Sequence, residues 1–243
     1  NKERKGNRVL TKNDQNKPFQ WMLFLGVILV AVNLRAPITA VGPLVSTMKS
    51  ELPFSSGVFG LLTTIPLFMF AVFSPFVRHI SDRLGAGKTL LFAIVAILFG
   101  VAIRSFGGNV GLFAGTFLLG AGIAVGNVLV PGIVKSRFPE RIGLATGAFT
   151  ISMTSFAAVS AAVSYPISKW SGMGWRNSLA VWMALGAVGL LFWLPQRKLS
   201  ILPQASTGSF TPEPEKSVWR TGLAWWLTVL MGAQSFLFYF FAA

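Results

Sequence analysis

The amino-acid sequence predicts an all-α membrane protein, a six-helix bundle followed by a seventh helix. Three observations predict it. Hydrophobic residues make up 53% of the 243 and charged residues only 12%, against roughly 25% charged in an ordinary soluble domain. Apolar runs recur at about 20 residues, the length a helix rising 1.5 Å per residue needs to cross a hydrocarbon core about 30 Å thick. The basic residues gather between those runs rather than along one helix face. That distribution assigns the net charge of +14 to membrane topology and away from nucleic acid.

Residues 1–18 carry Lys2, Arg4, Lys5, Arg8, Lys12 and Lys17 with almost nothing apolar to bury, which reads as a solvated cytoplasmic tail. The bundle is expected over 19–195, with spans at about 19–47, 56–77, 89–106, 110–134, 144–166 and 175–195. The first run is too long for a signal peptide and should stay in the membrane. Segment 196–221, with Pro203, Pro212, Pro214, Ser206 and Ser209, cannot form a packed core and reads as a cytoplasmic linker. A last apolar run, 222–243, is the seventh span and the start of a further, C-terminal bundle.

Assigning connections alternately to the two sides places 16 of the 21 Lys and Arg on one side, which the positive-inside rule makes the cytoplasm. A faint internal repeat runs through the spans. Asn33 precedes Pro37 by four residues in span one, as Asn127 precedes Pro131 in span four, and Gly60-Leu61-Leu62-Thr63 recurs as Gly143-Leu144-Ala145-Thr146. The copies pair spans 1–3 with 4–6 in opposite senses through the membrane, the inverted repeat of many secondary transporters.

Arg35 stands about 16 residues into span one, too deep for easy snorkelling, and an arginine there costs at least about 2.5 kcal/mol. It should face a cavity or a partner. Pro37 leaves the carbonyl of Asn33 without its helical donor, and Pro131 does the same for Asn127, so both prolines are candidate kinks. A freed carbonyl, an amide and a fixed cation near mid-membrane suit a substrate site; the other reading is an arginine bonded to neighbouring carbonyls to pin the kink. The pairs Gly111/Gly115 and Gly122/Gly126 stand at the spacing that lets helices approach closely, and packing is their reading. In span seven, Gln234 and Tyr239 are further substrate-site candidates.

All seven acids fall outside the apolar cores, which leaves this half no carboxylate for a mid-membrane proton relay. Catalytic sets, metal ligands and cofactor motifs are missing: His79 stands without a cluster, there is no cysteine, and Gly87-Lys88-Thr89 lacks the rest of a phosphate loop. An enzyme is not expected.

The stretch Asp82-Arg83-Leu84-Gly85, the span-four exit Gly126-Asn127-Val128-Leu129-Val130-Pro131 with Phe138-Pro139-Glu140-Arg141, and the long linker together resemble the major facilitator superfamily. Within it, Asn33-Leu34-Arg35-Ala36-Pro37-Ile38-Thr39, and Leu223-Ala224-Trp225-Trp226 through Gln234-Ser235, look like the cyanate permease and 2-nitroimidazole-transporter group. The resemblance implies two six-helix bundles, each a 3+3 inverted repeat, that rock about a central path. This chain would supply the N-terminal bundle and one helix, with the C-terminal half as its expected partner. It also implies a cytoplasmic gate in which Asp82 is the latch, Arg83 stands beside it and Gly85 makes the turn. The family motif's opening glycine falls here at Arg78, its trailing basic residue comes one place late at Lys88, and the span-four arginine of many members is Thr116.

The expected function is secondary active transport of a small anionic or polar solute, cyanate-like or nitro-compound-like, across a bacterial inner membrane, with the N-terminus cytoplasmic. Arg35 would attract negative charge, and Asn33, Asn127, Gln234 and Tyr239 would complete the contacts. The expected partners are that solute and the lipid bilayer. A multidrug-type exporter is the alternative within transport, and a non-transporting sensor or scaffold is the alternative from another class.

Overall fold

The structure, a computed structural model, describes residues 21–172, 174–199 and 222–242. The predicted tail and most of the predicted linker lie outside the described residues. Among the described residues there are nine α-helices and no strand: α1 Trp21–Thr39, α2 Val45–Glu51, α3 Ser56–Leu84, α4 Ala86–Phe106, α5 Gly108–Arg137, α6 Ile142–Lys169, α7 Gly174–Ala180, α8 Trp182–Trp193 and α9 Gly222–Ala242. Six stretches are long and apolar enough to cross a membrane: α1 with α2, then α3, α4, α5, α6, and α7 with α8.

Two boundaries differ instructively from the sequence expectation. The first span is broken: α1 stops at Thr39, and a short 3-10 turn, Gly42–Leu44, precedes α2. Pro43 enforces the break, since its ring excludes an ordinary helical turn before it. The second span does not give way to a loop at residue 77. Its helix runs on to Leu84, because the end of a helix that leaves the hydrocarbon can be solvated without unwinding. Arg78, His79, Asp82 and Arg83 therefore stand on a helix. The turn itself is one residue, Gly85, at φ 84 and ψ 145, a conformation open almost only to glycine.

The packing repeats itself as the sequence pattern suggested. The principal helix contacts are α1 with α6, α3 with α5, α4 with α5, α1 with α8 and α4 with α8. In terms of spans, 1 packs on 5 as 4 packs on 2, and 3 packs on 4 as 6 packs on 1. Exchanging spans 1–3 with 4–6 maps this set onto itself, as an inverted repeat requires.

Close approach is bought with glycine. A Cβ on Gly100 would lie 2.6 Å from Leu119 N, and one on Gly122 would lie 2.6 Å from Ala93 O, so α4 and α5 run in backbone contact. Apolar side chains form two cores. One, toward the first residues of α1, gathers Leu23, Val27, Leu34, Leu90, Ile97, Leu119 and Phe138. The other gathers Ala36, Ala40, Leu44, Met48, Leu112, Trp175 and Trp182.

The ends of the bundle are tied differently. At the end holding the start of α1, Trp193 Nε1 donates to Gly87 O at 3.0 Å and Gln196 Nε2 donates to Met22 O at 3.0 Å. Gly87 N also donates to Leu199 O at 2.8 Å. Gly87 is thus the bare patch on which the end of the sixth span docks, a packing use that its phosphate-loop look conceals. At the far end, Trp175 Nε1 donates to Glu51 Oε2 at 2.7 Å, and the Arg176 guanidinium lies 4.3 Å from the centroid of the Trp175 ring.

Candidate functional site

The two apolar cores meet within one turn of Arg35. Leu34 belongs to the first and Ala36 to the second, and polar groups collect near the join. The hydroxyls of Thr39 and Ser160 lie 2.6 Å apart, tying α1 to α6, while Thr39 Oγ1 also donates to Arg35 O at 3.1 Å. Thr116 sits on α5 between Leu112 of one core and Leu119 of the other, and donates back to Leu112 O at 2.7 Å.

Arg35 itself is half-buried. It lies 14 residues beyond Trp21, about 21 Å along the helix. Asn127 of α5 is likewise half-buried. Their shared level is fixed by the residues just before each: Leu34 packs directly against Gly126, where a Cβ would strike the leucine's methyl groups. Arg35 and Asn127 therefore stand at one depth in the bundle.

Asn33 has a different environment. It is fully buried, and its Nδ2 donates to Leu29 O at 2.8 Å and across to Leu185 O of α8 at 3.1 Å. Gly186 and Gly189 make room for it, a Cβ on Gly189 falling 2.9 Å from Asn33 Nδ2. Asn33 thus bolts span one to span six, with Oδ1 unpartnered among the described residues. Pro37 and Pro131 both lie inside continuous helix; α1 ends two residues after Pro37. Gln234 is exposed on α9, and no hydrogen bond joins it to the bundle among the described residues. Tyr239 lies in α9, and its side chain is outside the described residues.

Asp82 and Arg83 are exposed at the end of α3, next to the Gly85 turn. The nearby cavity, about 400 Å³, is lined by Met22, Leu23, Arg137, Pro195, Gln196, Lys198 and Leu199. It opens at this end of the bundle, 12 residues down α1 from Arg35, so it does not coincide with the Arg35 level.

The residue that sequence reasoning passed over is Arg104. In the sequence it is only a basic residue near a span end, two residues before the last of α4. It is instead 1% exposed, and its Nη1 donates to Pro37 O at 2.9 Å. Nε and Nη2 are buried without an acceptor among the described residues. Burying a guanidinium with two donor groups unpartnered costs free energy, since each donor leaves water without an acceptor. The broken first span is the signal that would have found it: α1 ends with open carbonyls, and a cation suits a helix C-terminus.

These features define a polytopic helical membrane protein built from two triplets of spans, with a polar layer between apolar cores. Residues 23–243 match the family profile of the Major Facilitator Superfamily, and the chain belongs to that family. It is 42% identical over 226 residues to YycB, an uncharacterized transporter of Bacillus subtilis, a match covering 92% of this chain and 55% of that protein. It is 35% identical over 218 residues to a 2-nitroimidazole transporter of Escherichia coli, covering 90% and 55%. To the cyanate transport protein CynX of Escherichia coli it is 26% identical over 215 residues, covering 86% and 54%. The chain thus spans about half the length of the curated relatives it matches.

Proposed function

We propose that this chain forms the first bundle and the seventh span of a secondary active transporter that carries a small anionic or polar solute across a bacterial inner membrane by alternating access. The observation that carries the reading is Arg35, a half-buried cation mid-span, level with the Asn127 amide across the Leu34–Gly126 contact. A guanidinium offers a planar fork of donors to an anion or a nitro group, and an amide beside it supplies further donors and an acceptor. Cyanate and 2-nitroimidazole are therefore the first solutes to try.

The second bundle would close the remaining faces. About two thirds of the apolar stretch of the first span is buried, 67%, but only 22% of that of α3 and 17% of that of α6. Thr63 and Thr64 on α3, and Thr150 and Thr154 on α6, belong to these open helices. Exposed Asp82 would bond helix N-termini or an arginine of that bundle when the cytoplasmic side closes. Lys88, Arg141, Arg197 and Lys198 lie with it at the same end, which would be the cytoplasmic one.

The test is uptake into proteoliposomes by the full transporter that carries this chain, with labelled cyanate and 2-nitroimidazole. Arg35→Ala is expected to abolish transport of the accepted solute while inserting normally, and Asn127→Ala to raise KM several-fold. Undiminished transport by a well-inserted Arg35→Ala protein would overturn the assignment. Export of lipophilic cations in place of these solutes would move it to the multidrug class.

A further inference from the structure

We infer that Arg104 is a positioning residue for the transport site, acting on Arg35 through the broken end of α1; the inference rests on the proposed role of Arg35. The geometry is specific. Arg104 Nη1 donates to the carbonyl of Pro37, two residues beyond Arg35, where the main chain leaves helical geometry and its carbonyls lose their usual donors. Val41 N goes to Ile38 O at 3.3 Å, and Ala40 N to Ala36 O at 3.1 Å. Pro37 O is thus capped by α4, while the Thr39–Ser160 hydroxyl pair holds the same turn to α6.

The platform beneath Arg104 is rigid. A Cβ on Gly115 of α5 would lie 2.7 Å from Arg104 Cα, so the arginine's backbone is wedged against the neighbouring helix and cannot drift. Its guanidinium is fully enclosed and spends one donor group on Pro37 while leaving Nε and Nη2 unpartnered. An apolar side chain of similar volume would be as good or better for stability. What that side chain could not do is fix the height and rotation of the α1 terminus. The last turn of α1 contains Arg35 O, which accepts from Thr39, so freeing that terminus frees the Arg35 backbone with it.

The chain contains no cysteine, which makes the terminus easy to watch. Ala40, fully buried, is replaced by cysteine in the full transporter, any cysteines elsewhere being changed to serine. Maleimide labelling and solute KM are then measured with Arg104 native, Arg104→Gln and Arg104→Lys. The glutamine protein is expected to label at least tenfold faster and to show a KM raised about tenfold, on purified, monodisperse protein. Lysine, which still reaches one carbonyl, is expected to return both within threefold of native. A residue needed only for folding would lower yield and leave both readings unchanged in the folded fraction. Unchanged labelling and KM in Arg104→Gln, or a lysine protein that behaves like glutamine, would overturn the inference.

Where glutamine gives no monodisperse protein, the lysine protein decides: both readings within threefold of native support the cap, and a tenfold change in either refutes it. Labelling separates this inference from the reading it rests on. If Arg35→Ala transports normally, the site is lost, yet faster labelling still shows that Arg104 holds α1. If Arg35→Ala is inactive and Arg104→Gln changes nothing, only the positioning role falls.

Discussion

Leu34 of α1 is seated against the bare backbone of Gly126 of α5, so tightly that a single added methyl on the glycine would strike the leucine side chain. This contact sets Arg35 and Asn127 at one depth. Gly126→Leu is expected to force α1 and α5 apart, lowering stability by about 1–3 kcal/mol as overpacking does. Thermal unfolding of purified protein in detergent checks it, and uptake should fall in parallel because Arg35 and Asn127 lose their register.

Gly115→Ala should be less forgiving than its size suggests. The new Cβ would meet the backbone of Gly100 and Arg104, and backbone cannot turn aside as a leucine methyl can. A loss of about 1–3 kcal/mol is expected. Gly143→Ala and Gly147→Ala, where a Cβ meets nothing within 4 Å, are the matched controls and should stay within about 0.5 kcal/mol of native.

Asn33→Ala removes two hydrogen bonds, to Leu29 O and Leu185 O. Polar contacts between membrane helices average about 0.6 kcal/mol, with a maximum near 1.7. A loss of about 1 kcal/mol is therefore expected, read as a lowered unfolding temperature. Since the side chain binds span six, KM should change less than twofold, and a larger KM effect would return Asn33 to the solute contacts.

Trp175→Phe keeps an aromatic ring beside Arg176 and deletes the N–H donated to Glu51 Oε2 together with the pyrrole part of a buried indole. A hydrogen bond to a charged acceptor contributes about 1.5–3 kcal/mol, with the lower end expected at this half-exposed rim. The loss should appear as faster proteolysis around α2 and a lower unfolding temperature. Glu51→Gln on native Trp175, which still accepts the same bond without charge, should lose less than Trp175→Phe.

Gly85→Ala tests the one-residue turn. At φ 84 and ψ 145 an alanine is strained by about 1–3 kcal/mol. The expected outcome is reduced stability together with slower transport, because Asp82 and Arg83 hang on the helix end that this turn fixes. Asp82→Asn, by contrast, should leave the unfolding temperature unchanged and slow transport alone.

Much of the fold was legible because membrane helices declare themselves by apolar length, and because the α4–α5 contact leaves glycine spacing behind. Gly111, Gly115, Gly122 and Gly126 read as packing residues and pack as such. The inverted repeat was visible in the Asn-to-Pro spacing and reappears in the pairing of the spans. The break in the first span was harder to see: Pro43 marks it, but apolar residues continue through it to Met48, and hydropathy does not distinguish a helix from a helix with a gap. Arg104 was missed for the same reason. Its burial depends on carbonyls opened by a break in another helix, a long-range fact with no local signature. Asn33 and Arg35 are two residues apart and read as one site, yet a helix turns about 200° over two residues, and the Asn33 amide is committed to Leu185 of α8.

The bolts on α1 come from the far side of the chain. Asn33 waits for Leu185, 152 residues later, and Thr39 for Ser160, 121 residues later. At a synthesis rate of about 5–20 residues per second, the segment that carries a cation and an amide into the bilayer stands without its partners for roughly 6–30 s. Biogenesis, rather than the finished fold, is where this segment is most exposed to error. Slowing elongation between spans one and five should cost more correctly inserted protein than slowing it afterwards.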